Sequence, residues 1–109
     1  MHINSAVKNY LNYLSITRHA SAKTITSYTH DLKLFERYLK DLKIDTVEII
    51  DVNTINTFIN EISDSYAIAS INRLKAALHS FFKYLNERYD IPDPSLMVET
   101  SKVPKRLPI

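Results

Sequence analysis

The chain has 109 residues, a net charge of +2, no cysteine and no glycine. That length fits one domain with one core, and the absent residue types exclude a disulfide, a thiolate zinc site, a cysteine nucleophile and a glycine-rich phosphate loop. A β-rich domain needs glycine for hairpin turns and bulges, so the expected class is all-α, with connections that avoid positive φ. The lack of thiols fits a reducing, cytoplasmic setting. Met1 to Ser5 carries no basic segment leading into an apolar run, and no stretch of about 18 apolar residues occurs, so neither secretion nor membrane spanning is expected.

In chain order, Val7, Tyr10, Leu11 and Leu14 recur at the spacing of one buried stripe and predict a helix from about Ser5 to Thr17, capped by Asn4 or Ser5. A second helix begins at Ser21, whose hydroxyl is placed to accept from the Lys23 or Thr24 amide. It carries Ile25, Tyr28, Leu32, Phe35 and Leu39 on one face and ends near Leu42. Residues 43 to 50, with Ile44, Val47, Ile49 and Ile50 among short polar residues, read as a loop with a helical turn in preference to a short strand. Asp51 or Asn53 caps a third helix to about Ser63, with Val52, Ile55, Phe58, Ile59 and Ile62 inward. A fourth starts between Tyr66 and Ser70 and runs to about Tyr89, burying Ile71, Leu74, Leu78, Phe81, Phe82 and Leu85. All four prolines, Pro92, Pro94, Pro104 and Pro108, lie in the last 18 residues. Proline cannot continue a helix, so residues 1–90 read as the helical domain and 91–109 as a linker with a short helical turn over Ser95 to Thr100.

Charge is unevenly distributed. Residues 1–40 hold six Lys/Arg against Asp31 and Glu36, residues 41–66 hold Lys43 against six carboxylates, and residues 67–109 hold seven basic residues against four acidic ones. A polyanion is drawn to the flanks and repelled by the middle.

At about 100° per residue, the side of the second helix away from its apolar stripe presents Lys23, Thr26, Ser27, His30, Leu34 and Arg37, with Thr24 at its edge. The fourth helix likewise presents Ala69, Asn72, Arg73, Ala76, Ser80 and Lys83. Small side chains let a helix backbone enter a DNA major groove while Arg, Asn, Ser and Thr reach base edges. Arg73 suits a bidentate contact to guanine, and Arg73→Ala is expected to leave the fold intact. Lys23, Lys33, Arg37 and Lys83 sit where phosphates would flank an inserted helix. Any surface helix turns polar residues outward, so a merely solvated face is the alternative. Leu34 fits neither account and suggests contact with a neighbouring element or protomer.

Tyr10, Tyr28, Tyr38, Tyr84 and Tyr89 fall near apolar faces, where a ring fills volume and the hydroxyl reaches the rim. The histidines His2, His19, His30 and His79 show no i, i+4 pairing, so no metal site is expected. No Ser, His and carboxylate form a recognisable catalytic set, and no cofactor is implied.

The order Tyr10-Leu11, then Ser21-x-x-Thr24-Ile25-x-x-Tyr28-x-x-Asp31-Leu32-x-x-Phe35-x-x-Tyr38-Leu39, then Ser70-Ile71-Asn72-Arg73-x-x-Ala76-Ala77-Leu78-x-x-Phe81-Phe82-x-Tyr84-Leu85, then Pro94 and Pro104-Lys105-Arg106-Leu107-Pro108, resembles the N-terminal core-binding domain of tyrosine recombinases. The similarity is to the Xer-like and phage-integrase branch and covers nearly the whole chain. The resemblance implies a four- to five-helix, orthogonal SAM-like bundle on one side of duplex DNA at a recombination site. A Pro-containing linker would lead to a separate C-terminal catalytic domain, and other recombinase protomers would be further partners. It implies DNA contacts by Lys23, Thr24, Ser27 and His30 from the second helix and by Ser70, Asn72 and Arg73 from the fourth, with Ser70 an N-cap that also touches phosphate. His79 and Ser80 depart from the family, whose members often have arginine there. The family's nucleophilic tyrosine belongs to the catalytic domain, so none of the seven tyrosines here is assigned that role, and this chain by itself is expected not to cut DNA.

Two other readings stay open: a helical module docking an acidic protein partner, and a helix-turn-helix regulator. The salt dependence of duplex binding separates the first from a DNA-binding domain. A dimer seam, not evident beyond Leu34, marks the second.

Overall fold

A computed structural model describes residues 1–97 of the chain. Four helices carry the fold: α1 (Ile3–Ile16), α2 (Ala22–Asp41), α3 (Val52–Ile62) and α4 (Ile68–Tyr89). Short 3-10 turns follow at Val47–Ile49 and Pro94–Met97. The protein is all-α, and among the described residues no helix is long and apolar enough to cross a membrane.

Local caps set several helix starts. The Ser21 hydroxyl accepts from the Thr24 amide at 3.1 Å to open α2, and Asp51 Oδ1 accepts from the Thr54 amide at 2.8 Å to open α3. At α1 the expected Asn4 or Ser5 cap gives way to His2, whose Nδ1 accepts from the Asn4 amide at 3.1 Å, so the helix begins two residues early. His2 is held extended by an antiparallel bridge to Thr46, in which the Ile3 amide donates to the Asp45 carbonyl and the Val47 amide to the Met1 carbonyl, each at 2.9 Å. A contact forty-odd residues away in sequence therefore fixes the start of α1. At α4 the N-cap is Ala67, without a side-chain bond, so Ser70 is the third helical residue and not the expected cap.

The connections do not avoid positive φ. His19, Lys43 and Asp90 adopt φ of 52°, 62° and 59° just past the ends of α1, α2 and α4. Orphan carbonyls at a helix end are satisfied when the chain reverses through the left-handed region. The Ala20 amide accordingly returns to the Leu14 carbonyl and the Ile91 amide to the Leu85 carbonyl. Without glycine, ordinary residues take the strain.

The core is an aromatic chain crossing all four helices. Tyr10 of α1 meets Phe81 edge to face at 5.5 Å, Phe81 meets Phe82 at 5.1 Å, Phe82 meets Phe35 of α2 at 6.2 Å, and Phe35 meets Phe58 of α3 at 5.1 Å. All five rings are buried, as are all six α4 residues expected inside. The chain then folds back: the Pro94–Met97 turn packs on α3 and α4, and Ile91 and Ser95 are buried. The first seven residues of the expected linker thus lie against the domain. Residues 98–109, with Thr100 and the Pro104–Pro108 motif, fall outside the described residues.

Candidate nucleic-acid interface

Five sequence-predicted residues of α2, Lys23, Thr26, His30, Lys33 and Arg37, are all exposed and follow one another at three- and four-residue steps, with Lys40 continuing the series. That spacing draws one stripe along the helix, about 25 Å long from Lys23 to Lys40. It carries four permanent cations. Thr24 and Ser27 are half-buried at its margin, and Thr24 also belongs to the cap, receiving a hydrogen bond from the Ser21 hydroxyl at 3.0 Å. Leu34 does not face outward as projected. It is half-buried and packs against the core, so of the two contacts suggested for it, a neighbouring element of the same domain is the one the structure supplies.

On α4, Ala69, Asn72, Arg73, Ala76 and Lys83 are exposed, while Ser70 and Ser80 are half-buried. Ser80 accepts a hydrogen bond at 2.6 Å from the hydroxyl of Tyr10, whose ring is fully buried. Burial pushes the Tyr10 hydroxyl pKa up to about 12, against a smaller lowering by Ser80.

Arg73 is not a free groove-facing side chain. Its Nε donates to Asp31 Oδ2 at 2.9 Å and its Nη2 to Asp31 Oδ1 at 2.8 Å. Asp31, on α2, is only 2% exposed. The carboxylate's hydrogen bonds raise the Arg73 pKa above its ordinary value. Removing Arg73 strands a buried charge, which corrects the expectation that Arg73→Ala leaves the fold intact.

The same pair ties α2 to α4: Asp31, on the inward side of α2 and next in sequence to His30, holds Arg73, next in sequence to Asn72. Neither face is turned into the core. Most of the acidic middle of the sequence lies elsewhere: Asp45, Glu48, Asp51, Glu61 and Asp64 are exposed on and around α3 and its approach, while Asp41 closes α2 four residues after Arg37. Two of these carboxylates serve the fold. Thr54 holds the Asp51 pKa low at the α3 cap, and the Met1 ammonium does so for Glu48 at 2.6 Å.

Asp31 and Tyr10 escaped the projection as interface residues. A signal existed for the first: Tyr28, Asp31, Leu32 and Phe35 form an i, i+3, i+4, i+7 set, so the carboxylate occupies a buried-stripe slot and requires a cationic partner.

The phage integrase N-terminal SAM-like domain family matches residues 7–88. The chain is similar to the tyrosine recombinase XerD of Staphylococcus epidermidis, 33% identical over 108 residues that make up 97% of this chain and 37% of that protein. It is also similar to the tyrosine recombinase XerC of Treponema denticola, 35% identical over 98% of this chain and 35% of that protein. It therefore spans little more than a third of the length of these relatives. No solved structure matches significantly. With a helical core following the family order and a match across α1 to α4, the chain belongs to the phage integrase N-terminal SAM-like domain family, the N-terminal domain of tyrosine recombinases.

Proposed function

We propose that this domain binds duplex DNA at a recombination site for a site-specific tyrosine recombinase, laying the α2 stripe and the N-terminal half of α4 against the major groove. The observation that carries the reading is the exposed stripe of α2, with its four cations, on a helix that the Asp31–Arg73 pair ties to α4. Lys23, Lys33, Arg37 and Lys83 take phosphates. Thr24, Thr26, Ser27, His30, Ser70, Asn72, Arg73 and Ser80 take base edges or the sugar-phosphate backbone. The chemistry of strand exchange belongs to a catalytic domain of the same parent chain, joined through the segment beyond α4. Other recombinase protomers complete the assembly, and the cytoplasm is where such a domain meets its DNA. The family match and the names of the relatives support this role.

Titration with a duplex at rising salt tests it. Binding is expected to weaken steeply, and alanine at Lys23, Lys33 or Arg37 is expected to reduce the slope of log K against log salt by about one each. Salt-independent binding, or none at low salt, overturns the reading.

A further inference from the structure

Two of the outward residues of α4 are held from beneath by partners on other helices. Arg73 receives Asp31 from α2, and Ser80 receives the buried hydroxyl of Tyr10 from α1. The two sites lie seven residues apart on one face of α4, about 10 Å along its axis. We propose that Asp31 and Tyr10 are positioning residues for DNA recognition, holding Arg73 and Ser80 as donors already aimed at the groove. This rests on the DNA-interface reading above.

The guanidinium geometry carries the argument. Arginine offers five N–H groups in a planar fork. Asp31 occupies one edge, through Nε and Nη2, and leaves the terminal edge formed by Nη1 and the second Nη2 hydrogen. The Arg73 side chain is 42% exposed although its partner is 3% exposed. One edge is therefore anchored in the protein while the side chain as a whole keeps contact with solvent, and the edge that Asp31 does not use has the donor pair that matches guanine O6 and N7. Because Asp31 fixes the plane, the rotamer freedom of a long side chain is lost on folding and not on binding. Ser80 follows the same logic with a hydroxyl. Its oxygen accepts from Tyr10, so its own proton is left to donate to another acceptor.

The test uses the full chain and a library of duplexes with a randomised core, sequenced after selection, beside a fixed duplex of mixed sequence at several salt concentrations. Asp31→Asn keeps the Arg73 charge but breaks the matched two-pronged acceptor. It is expected to retain the salt slope on the fixed duplex, to flatten base preference at one position of the selected site, and to weaken binding to that site about tenfold. Tyr10→Phe removes only the hydroxyl and is expected to weaken selected-site binding as much as Ser80→Ala does, with no further loss in the double variant. An Asp31→Asn protein that keeps the wild-type preference profile while melting earlier overturns the positioning role and leaves Asp31 a structural tie. If Asp31→Asn does not fold by circular dichroism, the Tyr10 and Ser80 cycle decides: additive losses, or no loss in either variant, overturn the proposal. A wild-type chain without salt-dependent binding overturns the interface reading and this inference with it, before any variant is compared.

Discussion

Tyr10 of α1 donates to Ser80 Oγ of α4 at 2.6 Å from a ring with no solvent exposure, so the hydroxyl sits at the boundary between core and surface. Ionising it there places a phenolate against Phe81 and Tyr84, each 5.5 Å away between ring centres. Burial is the main reason its pKa rises from 10.0 to about 12.

That shift has a sign. A group whose folded pKa lies above its unfolded value contributes stability that is complete below the unfolded pKa and lost as pH rises through the folded one. For Tyr10 the window runs from pH 10 to about 12, and the loss amounts to about 2–3 kcal/mol. Tyr84 is also pushed up to about 12, chiefly by burial, but the Tyr89 hydroxyl 3.4 Å away shifts the opposite way and offsets part of its effect. Urea midpoints measured across alkaline pH are expected to fall through this window, and to fall less steeply in Tyr10→Phe. An identical pH dependence in that variant removes Tyr10 as the cause.

Arg73→Ala is expected to destabilise the domain by about 2–3 kcal/mol. The Asp31 carboxylate would remain buried with both acceptors unsatisfied. The cost stays below that of a fully enclosed pair because water already reaches the guanidinium side. Replacing both members, as in Asp31→Leu with Arg73→Met, is expected to recover most of the loss, since it removes the stranded charge. Chemical denaturation of the single and double variants provides the check, and a single variant as stable as the wild type would remove the pair from the account of the fold.

Phe35→Ala is expected to cost about 3–5 kcal/mol. Phe35 has no exposure and touches Phe58 of α3 at 5.1 Å and Phe82 of α4 at 6.2 Å between ring centres, so its loss opens the junction of three helices. Loss of cooperative thermal unfolding by circular dichroism is the readout. A neutral result would mean that the apolar face of α2 is not the one facing the core.

What could be read from the sequence divides along the same line as what is local. Ser21 and Asp51 cap their helices through amides three residues on, and both starts follow from the residues themselves. The buried stripes of α3 and α4 are equally local, since 3.6-residue periodicity places Ile55, Phe58, Leu74 and Leu78 on inner faces. The start of α1 was not legible because His2 is held by Thr46, a partner no window around His2 contains. The same holds for the candidate interface. The exposed series from Lys23 to Arg37 follows from helical projection, whereas Asp31 with Arg73 and Tyr10 with Ser80 join residues 42 and 70 positions apart. Leu34 projects outward yet meets the core, because a residue at the edge of a projected face belongs to whichever neighbour covers it.

Lys43 provides a test of how a glycine-free chain ends its helices. It follows the C-cap of α2 at φ 62°, and the next amide, Ile44, returns to the Leu39 carbonyl at 2.9 Å, so the left-handed turn cannot relax without losing that bond. Asp and His enter this region with less strain than Lys, which has no short polar group to bond locally. Lys43→Gly removes the strain but loosens the unfolded chain, for a net gain of about 0.5–1 kcal/mol. Lys43→Ala serves as the charge control: it keeps the strain, loses the cation near the α2 C-terminus and is expected to be slightly destabilising. Asp90→Gly, at φ 59°, is expected to gain less than Lys43→Gly. Thermal denaturation ranks the three, and a Lys43→Gly protein no more stable than Lys43→Ala would show that the turn at the end of α2 carries no strain.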